Sequence, residues 1–134
     1  HGVYELRERA DAEYVAAHHG GSRDDYDVIR NSFDVVAGDR VAIQETFSAL
    51  GKLVPADDAS FAAFTSRIDL ANFTDWLALE VYLDNNDWPQ NNISMWRRRE
   101  AGALWRYAQN VGPAWAGAVT HPGAKAETHV YADI

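Results

Sequence analysis

The chain has 134 residues, of which 47% are hydrophobic and 24% charged, the balance of a folded domain rather than a disordered segment. Its 20 acids and 12 bases give a net charge of −8, which argues against a nucleic-acid backbone as partner. Cysteine is absent, excluding disulfides, thiolate metal sites and thiol nucleophiles. No apolar run approaches the ~20 residues of a membrane-spanning helix, and no secretory leader is visible. The chain starts at His1 rather than Met, as a processed product or an excised piece would. The charge is uneven: residues 1–90 hold 17 acids and 7 bases, residues 91–134 hold 3 and 5.

Val3-Tyr4-Glu5-Leu6 alternates apolar and polar side chains and predicts a short strand. Asp11 is placed to cap a helix reaching about His18, which Gly20-Gly21 stops. Tyr26, Val28 and Ile29 predict a second extended piece. Asp39 is the expected cap of a helix to about Lys52, with Ile43, Phe47 and Leu50 on one face. Pro55 closes that region, and Asp57 and Asp58 open a short helix carrying Phe61 and Phe64. The strongest helical pattern runs from Asp69 to about Asp84. Leu70, Phe73, Leu77 and Val81 form one stripe and Trp76, Leu79 and Leu83 a second, which predicts a central helix. Ile93–Trp96 and Leu104–Tyr107 then read as two strands of a hairpin. From residue 108 onward periodicity is lost, and 12 of the last 27 residues are Ala, Gly or Pro. The expected class is α+β, with a mainly helical core, short strands and a C-terminal β-hairpin. Residues 1–107 form the core and 108–134 a weakly patterned tail.

Chemistry concentrates in Asp84–Asn92, where four asparagines, two aspartates and a glutamine fall within nine positions. Such a loop offers oxygen ligands to a hard cation, or is a solvated helix exit with Asx turns. The five-residue spacing of Asp87 and Asn92 is that of a kinase catalytic loop, in which the Asp accepts the hydroxyl proton and the Asn holds magnesium. An EF-hand is excluded, because its required Gly and Glu positions, counted from Asp84, hold Pro89 and Met95. His18 and His19 are adjacent on a helix and diverge, so one metal would not use both. Arg97-Arg98-Arg99 reads as a solvated hairpin end, or as a grip on phosphate or an acidic partner. The five Trp and six Tyr stand mostly at core spacing. Asn72-Phe73-Thr74 and Asn92-Ile93-Ser94 match the glycosylation sequon.

The stretch IDLANFTDWLALEVYLDNNDWPQNNISMWRRREAGALWRY, with its D-W-P-x-N-N block, resembles the CotH family of spore-coat-protein-H-like atypical protein kinases. The opening GVYELRERADAEYVAAHHG is similar to that family's entry segment, and together the similar stretches cover most of residues 1–107. The resemblance implies a partial atypical-kinase fold that transfers the ATP γ-phosphate to protein serines with magnesium. Asp87 takes the catalytic-loop role and Asn92 the metal role, while Glu8 and Asn91 match cofactor-binding positions. Two family features are missing: the glycine-rich phosphate-binding region, and the metal-holding Asp after the Leu104–Tyr107 strand. The resemblance therefore implies an incomplete or inactive kinase core, acting on a protein substrate. The alternatives are a non-catalytic module of a spore coat or cell surface, with a coat or surface protein as partner, and an unrelated acidic sugar- or calcium-binding domain.

Overall fold

A computed structural model describes residues 9–31, 33–54, 57–82 and 91–109. Four strands, β1 (Tyr26–Arg30), β2 (Asp34–Ala37), β3 (Ile93–Arg98) and β4 (Arg106–Gln109), form one antiparallel sheet in the order β2-β1-β3-β4. The helices are α1 (Ala12–His19), α2 (Val41–Leu50), α3 (Asp58–Thr65) and α4 (Leu70–Tyr82), and a single 3₁₀ turn (Arg23–Asp25) leads into β1.

Strand alternation divides the core in two. On one face Tyr26, Val28, Trp96 and Ala108 pack with Ala12 and Val15 of α1. On the other, Ile29, Met95 and Tyr107 pack with Ile43 of α2, Ile68, Trp76 of α4 and Trp105. The α+β class holds, but the core is organised on the sheet rather than being mainly helical, and among the described residues the strands supply half of its buried apolar side chains. The described elements lie between residues 9 and 109, so the 107/108 boundary falls within β4. The expected strand at Val3–Leu6 and most of the tail lie outside the described residues.

The helix ends follow local capping rules. The Asp11 carboxylate accepts from Tyr14 N–H at 3.1 Å and opens α1, and Gly20 closes it with φ +80°. The Asp57 carboxylate accepts from Ser60 N–H at 2.9 Å and opens α3; these hydrogen bonds hold its carboxyl below the usual range. Asp39 stands one residue further out than predicted. Arg40 occupies the cap position of α2, and the Asp39 carboxylate accepts from Val41 N–H at 2.9 Å. The buried face of α2 is Ile43 and Thr46, while Phe47 is 39% exposed and packs edge-on against Phe33.

The largest departure is α4. Its buried residues are Asn72, Trp76 and Glu80, spaced four apart, whereas Leu70 and Val81 of the predicted stripe are exposed. Asn72 explains the choice of face. Its amide nitrogen donates to Tyr107 C=O at 3.0 Å, and its amide oxygen accepts from Tyr107 N–H at 2.6 Å. Just before it, Trp105 N–H donates to Arg67 C=O and Asp69 N–H donates to Trp105 C=O, with a parallel bridge between Ile68 and Trp105. The segment 67–72 thus satisfies the outward backbone groups of residues 105 and 107, first with main chain and then with a side chain that imitates it. A period-3.6 apolar reading cannot see this, because the helix buries an amide to close a sheet edge. Burial of Asn72 also leaves its sequon unavailable in the folded chain.

Tyr107 sits beneath α4, 8% exposed and stacked on Trp76 at 4.5 Å, and burial pushes its hydroxyl up to about 12 from 10.0. The folded state therefore holds this proton where the unfolded chain has lost it. The resulting stability, about 2–3 kcal/mol, is present below pH 10 and is lost as pH rises through 12. Urea unfolding between pH 9 and pH 12 checks this: the alkaline loss is expected to be smaller in Tyr107→Phe, and equal losses in both proteins would contradict it.

Candidate functional site

The arginine run is split by strand alternation. Arg98 is exposed and lies near Glu100, with Nε 3.7 Å from its carboxylate, whereas Arg97 and Arg99 turn to one buried acid. That acid is Asp27, 1% exposed and directly opposite Arg97 in the β1–β3 register. Arg97 Nε donates to Asp27 Oδ2 at 3.0 Å; Arg99 Nε lies 3.4 Å from Oδ1, which also accepts from Asp39 N–H at 3.1 Å. Arg99 further donates to the Asp39 carboxylate at 2.8 Å. Two acids and two guanidinium groups therefore balance among themselves, tying β1 and β3 to the entry of α2. Gly38 is required by this packing: its φ is +70°, and a Cβ there would collide with Asp27 Oδ1.

Beside this network lies a polar pocket of about 310 Å³, lined by Glu45 and Thr46 of α2, Ser66 and Arg67 of the α3–α4 turn, and Arg97 and Trp105 at the hairpin. The Arg97 guanidinium lies over the Trp105 ring, 5.6 Å from its centroid, which fixes its plane. Arg67 is half-buried, and its two hydrogen bonds go to neutral oxygens: Ala63 C=O at 2.9 Å and Ser66 Oγ at 3.0 Å. Among the described residues no carboxylate pairs with it. A cation without a counter-ion, beside a second guanidinium and two hydroxyl side chains, is an arrangement for a small anion bearing hydroxyl groups.

The residues singled out from sequence do not assemble into this site. Glu8 and Asp87 lie outside the described residues. Asn91 and Asn92 stand at the entry to β3, Asn91 exposed and Asn92 half-buried with φ +57°, the left-handed conformation that Asn tolerates. The His18 ring packs at a tilt against Tyr14 and that of His19 against Trp96, each with ring centroids 4.3 Å apart. Among the described residues no group of three or more His, Asp or Glu stands ready for a metal ion. Of the pocket residues, only Arg97 was flagged by sequence. Asp27 had a signal, a carboxylate inside the apolar run Tyr26–Ile29; Arg67, Glu45, Thr46 and Ser66 had none, since only the tertiary fold brings them together.

No protein-family model matches the chain, and no solved structure matches it. Among curated proteins it is 67% identical over 43 residues to dihydroxy-acid dehydratase of Parvibaculum lavamentivorans, a match covering 29% of the chain and 8% of that protein. It is 45% identical over 71 residues to dihydroxy-acid dehydratase 2 of Mesorhizobium japonicum, covering 50% of the chain and 11% of the relative. A third match, 71% over 34 residues, is to dihydroxy-acid dehydratase of Dinoroseobacter shibae and covers 25% of the chain and 6% of the relative. The chain thus matches about a tenth or less of the length of these relatives.

These matches overturn the CotH reading and its kinase activity. The proteins sharing sequence with the chain are dehydratases, so transfer of phosphate from ATP is not the chemistry they indicate, and the kinase expectation for the ATP cofactor falls with it. The spore-coat and cell-surface placements, including the non-catalytic coat module, fall for the same reason. The misreading arose because D-W-P-x-N-N is a short motif of residue types common to polar loops of many families, too few positions to specify one. No helix among the described residues is long and apolar enough to cross a membrane.

Proposed function

We propose that the chain serves dihydroxy-acid chemistry by binding the carboxylate of a small hydroxy acid in the Arg67–Arg97 pocket, without carrying the dehydration on its own. The observation that carries this is the Arg67 guanidinium, half-buried in a polar pocket with no carboxylate partner among the described residues. The ligand class comes from the relatives, whose name states loss of water from a dihydroxy acid. In the proposed complex Arg67 meets the carboxylate, Arg97 is held flat by Asp27 and Trp105, and Thr46 lines the pocket with a hydroxyl group. The Ser66 hydroxyl, donating to Ala63 C=O and accepting from Arg67, steadies the Arg67 guanidinium. The matched stretches span about a tenth or less of those relatives, so recognition rather than bond-breaking is the role assigned to the chain.

Calorimetric titration with 2,3-dihydroxybutanoate tests the reading. Binding is expected, and Arg67→Gln should weaken it by about 10- to 100-fold, the worth of a charge-assisted hydrogen bond. Circular dichroism of the variant should be unchanged, since the side chain sits at a turn. Equal affinity in both proteins, or no binding by the native chain, would overturn it. The native chain alone should form no oxo acid from this compound.

A further inference from the structure

We infer that Glu45 sets the charge of the ligand this pocket accepts, admitting a hydroxylated monoanion and rejecting a dianion. This rests on the carboxylate-binding reading above and adds to it a selection by ligand charge.

The argument is a charge count. Asp27, Asp39, Arg97 and Arg99 form a closed set of two acids and two bases, joined by contacts of 2.8–3.4 Å. Arg97 lines the pocket, yet its charge is already answered by Asp27 behind it. What remains on the wall is one cation, Arg67, and one acid, Glu45. Glu45 is exposed on α2, adjacent to the buried Thr46. A single carboxylate on the ligand finds Arg67. A second would find no unanswered cation and would face Glu45, where like charges in a partly desolvated pocket repel. A hydroxyl at the same place instead donates a hydrogen bond to the Glu45 carboxylate, which accepts only. Glu45 thus distinguishes a hydroxyl from a carboxylate on an otherwise similar ligand.

Titration of the full chain and of Glu45→Gln with 2,3-dihydroxybutanoate, butanoate and tartrate tests this. The native chain should prefer 2,3-dihydroxybutanoate over tartrate by about tenfold or more, the size of one like-charge contact at the pocket mouth. Glu45→Gln removes the repulsion and keeps an acceptor, so tartrate should approach 2,3-dihydroxybutanoate to within about threefold. Butanoate, which lacks the hydroxyls, should bind more weakly than 2,3-dihydroxybutanoate and respond little to the substitution. If carboxylates bind but the ratio of tartrate to 2,3-dihydroxybutanoate is the same in both proteins, the inference on Glu45 fails while the carboxylate pocket stands. If no carboxylate binds to either protein, the pocket reading itself fails and the inference with it.

Discussion

Asp27→Ala is expected to cost about 3–5 kcal/mol of folding stability, the loss found when one partner of a buried ion pair is removed. The carboxylate is 1% exposed and answers Arg97, Arg99 and the Asp39 N–H together. Its removal leaves the Arg97 guanidinium, 22% exposed, without its carboxylate. At roughly 3–5 °C per kcal/mol for a domain of this size, thermal unfolding should fall by about 9 °C or more. A second substitution separates the cost of an orphaned charge from the worth of the pair. In Asp27→Ala/Arg97→Met no unpaired guanidinium remains at that position, and part of the loss should be recovered. Thermal melts of the two variants decide this; a double variant no more stable than the single one would show that the pair itself, rather than the stranded charge, supplies the stability.

The second large effect is expected at Asn72. Asn72→Ala strands the N–H and C=O of Tyr107 in the interior, where each unsatisfied group costs about 1–3 kcal/mol. A total near 3–4 kcal/mol is expected from chemical unfolding, with protection of the Tyr107 amide from hydrogen exchange lost first. Asn72→Asp adds a diagnostic. A neutral carboxyl can donate to Tyr107 C=O as the amide does, but an ionised one cannot. The folded state therefore favours the protonated form, raising that carboxyl above the ordinary Asp value of about 3.9. Stability should be highest below that value and fall as pH rises through the raised one. A variant indifferent to pH would mean that the hydrogen bond from Asn72 Nδ2 to Tyr107 C=O contributes little.

How much of this was legible depends on the distance along the chain over which each interaction acts. The caps at Asp11 and Asp57, the stop at Gly20 and the β3–β4 hairpin all obey rules that operate within a few residues, and the sequence reading placed them. The Asn72 clasp joins positions 35 apart and the Asp27–Arg97 pair positions 70 apart, and neither leaves a local signature. Hydrophobic spacing even pointed the wrong way on α4, since Leu70 and Val81 completed a regular stripe but are exposed, while Asn72 and Glu80 are buried. The candidate pocket was less legible still. Its residues come from α2, the α3–α4 turn and the hairpin, so no single window of sequence contains it.

The contacts along β4 also bear on self-association. Cross-β growth needs a template strand on each side of a sheet, so that every added copy exposes a fresh one. Here the outward amides and carbonyls of residues 105 and 107 are consumed by the 67–72 segment. Among the described residues, that leaves β2 as the flank without a strand partner, and it begins with the exposed Asp34. Two copies meeting through β2 would occupy each other's docking edge, so among the described strands association by this route ends at a pair.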